Sequence, residues 1–65
     1  MVITEEMFEE WRGHPVTIRV MNMLEKEREE MKEGLIYDAY DNSEEVKGRC
    51  RVLAILLTLE YKDVV

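Results

Sequence analysis

Residues 52 to 59 read VLAILLTL, seven apolar side chains in eight positions, within a chain that is 37% charged. On a helix, such a segment is apolar round most of its circumference, so one neighbouring helix cannot cover it. Period-two alternation fails here, and a capped start with adequate length favours helix over strand. The stretch therefore predicts an all-α protein that completes its core against a third segment, a second copy or a partner.

Upstream of this stretch, the helix is expected to begin near Ser43 and to run to Tyr61. Val46, Cys50, Leu53 and Leu57 form one stripe on it, continued by Tyr61 and Val64. A second stripe carries Gly48, Val52, Ile55, Leu56 and Leu59, and only a narrow band with Lys47, Arg51, Thr58 and Lys62 is polar. Asp41, Asn42 and Ser43 are all suitable N-caps, and Asn42 with Glu45 resembles a capping box. Gly48 is a helix-interior glycine costing about 1 kcal/mol against alanine, which predicts a close helix crossing.

Pro15 suits the first position of a preceding helix, where its missing N–H is harmless. That helix is expected over residues 15–33, capped by His14 and ended by Gly34, with Leu35 packing back on its last turn. Val16, Val20, Met23, Leu24 and Met31 share a stripe expected to face the core, although Glu27 falls awkwardly inside it. Its second half, EKEREEMKE, is charged at eight of nine positions. A short first helix is expected over residues 4–12. Thr4 would cap it, Glu5 and Glu6 would favour its dipole, and Gly13 would close it in the left-handed conformation. The connection at 34–42 holds Tyr37 and Tyr40, more adhesive surface than a plain loop needs.

Sixty-five residues make one small domain, which buries only ~60% of the surface its unfolded chain exposes. With a single cysteine there is no internal disulfide, which leaves regular packing or oligomerisation as the support for a small scaffold. Nine basic against fifteen acidic residues give a net charge of −6, which disfavours nucleic-acid partners. No signal-peptide pattern or membrane-length apolar run is present, so a cytoplasmic location without membrane association is expected.

Candidate chemical sites are sparse. His14 lies between Gly13 and Pro15 and reads as a cap; its spacing from Glu10 suits metal ligation, but the helix is interrupted there and no second ligand set exists. Cys50 reads as a small core hydrophobe, although Arg49 and Arg51 would activate an exposed thiol. No phosphate loop, paired-carboxylate site or thiol pair appears, so neither enzymatic activity nor a cofactor or metal is expected. Two other readings stay open. The acids could imitate a phosphate track and inhibit a basic host nucleic-acid enzyme or defence complex, although Lys26, Arg28 and Lys32 interrupt them. The KGRCR run at Lys47 to Arg51 could serve an RNA-binding hairpin dimer.

Phe8 and Trp11, followed by HPVT at His14 to Thr17, the charged helix to Gly34, and KGRCRVLAILLTLEYKD at Lys47 to Asp63 together resemble small acidic helical proteins encoded in tailed-bacteriophage genomes near head and packaging genes. The resemblance implies a viral, non-enzymatic role in or around the particle, in the host cytoplasm or the virion. It carries over no active-site residues. The combined expectation is a hairpin of two long helices with a short helix folded on its open end, completed into a bundle by itself or by another phage structural or assembly protein. Phe8, Trp11, Val52, Ile55, Leu56 and Leu59 would form the interface. Val16, Val20, Met23, Leu24, Met31, Val46, Cys50, Leu53 and Leu57 would form the core.

Overall fold

The computed structural model describes all 65 residues. The regular structure is all helical, with α1 (Glu5–Gly13), α2 (Pro15–Ile36), α3 (Ser43–Leu57) and α4 (Tyr61–Val64) in order and no strands. The helix starts obey local chemistry. Thr4 Oγ1 accepts the amide of Met7 at 3.1 Å, and Glu5 and Glu6 sit in the first turn of α1. His14 serves two helices. Extended at φ −66 and ψ 136, as a residue before proline prefers, it donates its N–H to Trp11 O at 3.2 Å and so ends α1. Its Nδ1 accepts the amide of Val16 at 3.1 Å and so caps α2. No glycine has positive φ, so the left-handed closure expected at Gly13 does not occur.

The helix ends depart further from expectation. α2 passes through Gly34 and Leu35 to Ile36. The left-handed residue is Asp38, φ 53. Ala39 N–H donates to Gly34 O at 2.9 Å and Asp38 N–H to Leu35 O at 3.3 Å, the paired bonds of a Schellman closure with aspartate in the usual glycine place. Gly34 supplies room instead: a Cβ built on it would lie 2.5 Å from Cε2 of Tyr40. The close approach expected at Gly48 is absent, since nothing lies within 4 Å of a Cβ built there.

At the start of α3, Asn42 occupies the cap position without a side-chain bond to the helix backbone. Its Nδ2 donates to the Glu45 carboxylate at 3.0 Å, so the expected capping box is replaced by a side-chain pair. That bond, followed by the charge and hydrogen bond of Arg49, holds the Glu45 carboxyl below its usual range. α3 stops at Leu57, short of Tyr61. The capping box forms further on, at α4: Glu60 N–H donates to the Asp63 carboxylate at 2.9 Å, and the Glu60 side chain accepts the Asp63 amide.

α2 packs chiefly on α3. The covered stripe of α2 is Thr17, Met21, Leu24, Arg28, Met31 and Leu35; that of α3 is Ser43, Val46, Cys50, Leu53 and Leu57. Alternating steps of four and three residues mark both, the spacing at which two helices keep one seam in register. Arg28 ties the seam by donating its Nε to Cys50 O at 3.1 Å. Thr17 is buried with Val46 and Cys50. Val16, Val20 and Met23, expected in the core, are 63%, 45% and 61% exposed. The seam runs one residue round from the most apolar stripe.

The result is thin. The principal extents are 43 × 22 × 14 Å, and 14 Å is little more than the ~10–12 Å diameter of one helix with its side chains. The radius of gyration is 14.7 Å, against about 11 Å for a compact domain of this length.

The two helix-interior glycines should respond oppositely to alanine. Gly48→Ala, in open space, should raise stability by about 0.5–1 kcal/mol in urea unfolding. Gly34→Ala should lower it by about 1 kcal/mol through overpacking against Tyr40, and should become stabilising in a Tyr40→Ala background. Asp38→Gly should add about 1 kcal/mol by removing the left-handed penalty, read as a rise in the urea midpoint.

Candidate interaction surface

Two features stand out: a tied aromatic pole and an uncovered apolar face. At the pole, Arg12 in the last turn of α1 donates through Nη1 to Leu59 O and through Nη2 to Leu57 O at 3.3 Å. These carbonyls lie where α3 ends and the chain turns toward α4, so a fixed cation meets the negative end of the helix dipole. The same guanidinium lies 5.7 Å from the centroid of the Phe8 ring. Phe8 stands 5.7 Å from Trp11 and 6.1 Å from Tyr61, ring centroid to centroid. Tyr61 Oη donates to Ile3 O at 2.8 Å, fastening α4 to the chain before α1. Beside this cluster, Met1, Ile3, Met7, Phe8, Trp11, Leu59 and Val64 line a wholly apolar crevice of about 390 Å³.

The face lies along α2 and α3. Glu27, Leu24 and Met31 of α2 line one groove with Glu45, Gly48, Arg49, Val52 and Leu53 of α3. Steps of four and three carry the Glu27 stripe back through Met23, Val20 and Val16, and steps of three and four carry the Arg49 and Val52 stripe on to Leu56 and Leu59. Both stripes therefore border the same side of the layer. The opposite side is more polar: Asn22, Glu25, Glu29 and Thr58 line the groove there with Arg12, Ile18 and Met21.

The expected interface residues divide accordingly. Val52, Ile55 and Leu56 are 57%, 64% and 41% exposed and Trp11 is 44% exposed, whereas Leu59 is half-buried. Phe8 is buried, so it belongs to the core and not to the free surface. Val16, Val20 and Met23, placed in the core on sequence grounds, join the exposed face. Glu27 gave the available signal, since a carboxylate inside an apolar stripe argues against that stripe being the inner one.

The other candidates are engaged locally. His14 caps α2, and Cys50 is a buried free thiol in the seam. Lys47 pairs with Glu44 at 3.2 Å and Arg49 with Glu45 at 2.8 Å, which neutralises much of the KGRCR patch. Lys32 pairs with Glu29 at 3.2 Å on the acidic half of α2. No helix is long and apolar enough to cross a membrane. Comparison with protein-family models, with curated proteins and with solved structures gave no match.

Removing the Arg12 clamp should loosen α4 before the rest. Arg12→Ala should cost about 1.5–3 kcal/mol, as for hydrogen bonds to a charged donor. Arg12→Lys should recover only part, because a point charge cannot bridge two carbonyls as a planar fork does. Amide hydrogen exchange at residues 58–64 should rise in both variants.

Proposed function

We propose that this chain is a non-enzymatic protein–protein interaction module whose α2–α3 hairpin is completed into a helical bundle by another helical surface. One observation carries the reading. Fifteen large hydrophobic side chains are exposed, whereas the buried hydrophobic core consists of Phe8, Val46 and Cys50. Val16, Val20, Met23, Val52 and Leu56 stand together on one side of a layer one helix thick. A soluble protein rarely leaves so continuous an apolar face open unless a partner closes it.

The cover is a second copy or another protein. Resemblance to small acidic phage proteins supports a setting around a virion or head-assembly component, in the host cytoplasm or the particle. The acidic half of α2, exposed at Glu25, Glu27, Glu29, Glu30 and Glu33, supports the alternative of an inhibitor docking on a basic host enzyme. RNA binding draws less support, because acids already hold Lys47 and Arg49.

The experiment compares wild type with Leu56→Asp by light scattering and by pull-down from infected-host lysate across a salt series. The substitution should abolish association and leave helicity by circular dichroism nearly unchanged. An apolar contact should survive high salt, whereas an electrostatic one weakens steeply. Association untouched by Leu56→Asp and by Val20→Asp would defeat the assignment of this face.

A further inference from the structure

What covers the face can be narrowed, on the premise that the face is a docking surface, by its one discordant residue. Glu27 shares the stripe of Val16, Val20 and Met23 yet takes part in none of the chain's ion pairs, which are Arg28–Glu29, Lys32–Glu29, Lys47–Glu44, Arg49–Glu45 and Lys62–Glu60. An apolar cover would trap this carboxylate without a partner, at a large desolvation penalty. The cover must therefore bring a cation to Glu27 and apolar side chains to its neighbours.

The chain itself carries that complement. Counting ~1.5 Å of rise per residue from the Arg28–Cys50 tie, Val20 and Leu56 lie within about 3 Å of the same level along the layer, on opposite helices. Met23 and Val52 share a level to within a helical turn, as do Glu27 and Arg49. A two-fold axis parallel to the long dimension keeps every level and exchanges the helices. It would set Val20 on Leu56 of a second copy, Met23 on Val52 and Glu27 on Arg49, whose guanidinium gives only Nη2 to the exposed Glu45 carboxylate and keeps donors for a second one, with every adjacent helix antiparallel. A two-fold axis lying across the face, at right angles to the helices, reverses the levels and slides the apolar end over Glu27 and Glu30. We infer that a second copy of this chain closes the face through the parallel axis, forming a four-helix bundle in which each α2 lies over the other copy's α3.

The test uses the full chain. Sedimentation equilibrium should give a dimer, and Glu27→Arg or Arg49→Glu alone should weaken it tenfold or more. An equimolar mixture of the two variants should recover the association, because each reversed charge then meets its opposite. Wild-type background with Ala39→Cys carrying a nitroxide places one label at the tip beyond α2, with Cys50 buried and unreactive. The parallel axis predicts a label separation well under the 43 Å length of the molecule. A dimer with labels at or beyond that length would overturn the axis, and this readout holds even where a charge variant fails to fold. A monomer at high concentration that binds an apolar dye, with binding lost in Leu56→Asp, would overturn self-association and keep the docking face. A monomer that binds no dye would overturn both.

Discussion

Two helices that mesh along a seam of alternating three- and four-residue steps can cover only one stripe of each other. Everything else in this protein follows from that geometric limit. α2 spends its stripe on Thr17, Met21, Leu24, Arg28, Met31 and Leu35, and α3 spends its own on Ser43, Val46, Cys50, Leu53 and Leu57. The next stripe on each helix is apolar over the half nearer α1, at Val16, Val20 and Met23 on α2 and Val52 and Leu56 on α3. With four of 65 residues buried, the isolated chain has little to set against the conformational entropy of folding. Closing the second stripe would supply burial that the first cannot.

The short helices act at one end of this layer. α1 contributes less through area than through two specific devices, the Phe8 ring and the Arg12 fork. The ring gives Trp11 and Tyr61 something to lean on, and the fork satisfies carbonyls that the end of α3 leaves open. At the other end, the Schellman turn at Asp38 and the seat of Tyr40 over Gly34 do the corresponding work. Between the ends, acid–base pairs lie on exposed flanks of the helices, with Arg49–Glu45 beside the open face. Such exposed pairs contribute little individually.

Helix beginnings were legible in the chain because their determinants are local: Thr4, His14 with Pro15, and the polar run before Glu44. Helix endings were less so. Gly34 reads as a stop, yet its missing Cβ serves a tyrosine six residues on, and the left-handed turn falls on Asp38. Nothing near Leu57 announces a terminus; the carbonyls there are claimed by Arg12, far away in sequence. On α2, Leu24 and Met31 of the expected stripe do lie in the seam, but apolarity alone also selects Val16, Val20 and Met23, one residue round from it. The inner stripe contains Thr17 and Arg28, a hydroxyl residue and an arginine whose stem packs while its Nε finds a carbonyl. On α3, Val46, Cys50, Leu53 and Leu57 are both the apolar and the inward stripe, so pattern and packing agree. The uncovered stripe of α3 was likewise readable from VLAILLTL. Its continuation onto α2 was not, since it required knowing which of two adjacent stripes faced inward.

The bonds that fix α1 reach 45, 47 and 58 residues along the chain, from Arg12 to Leu57 and Leu59 and from Tyr61 to Ile3. On a ribosome, α1 thus emerges well before the α3–α4 turn that holds it. Until Leu57 and Leu59 have emerged, α1 has only its neighbour α2 to pack on. Joining α1 to the α3–α4 turn is a closure step whose entropy cost grows only slowly with loop length, but its timing is set by translation. The aromatic pole can therefore close only after most of the α2–α3 seam has become available.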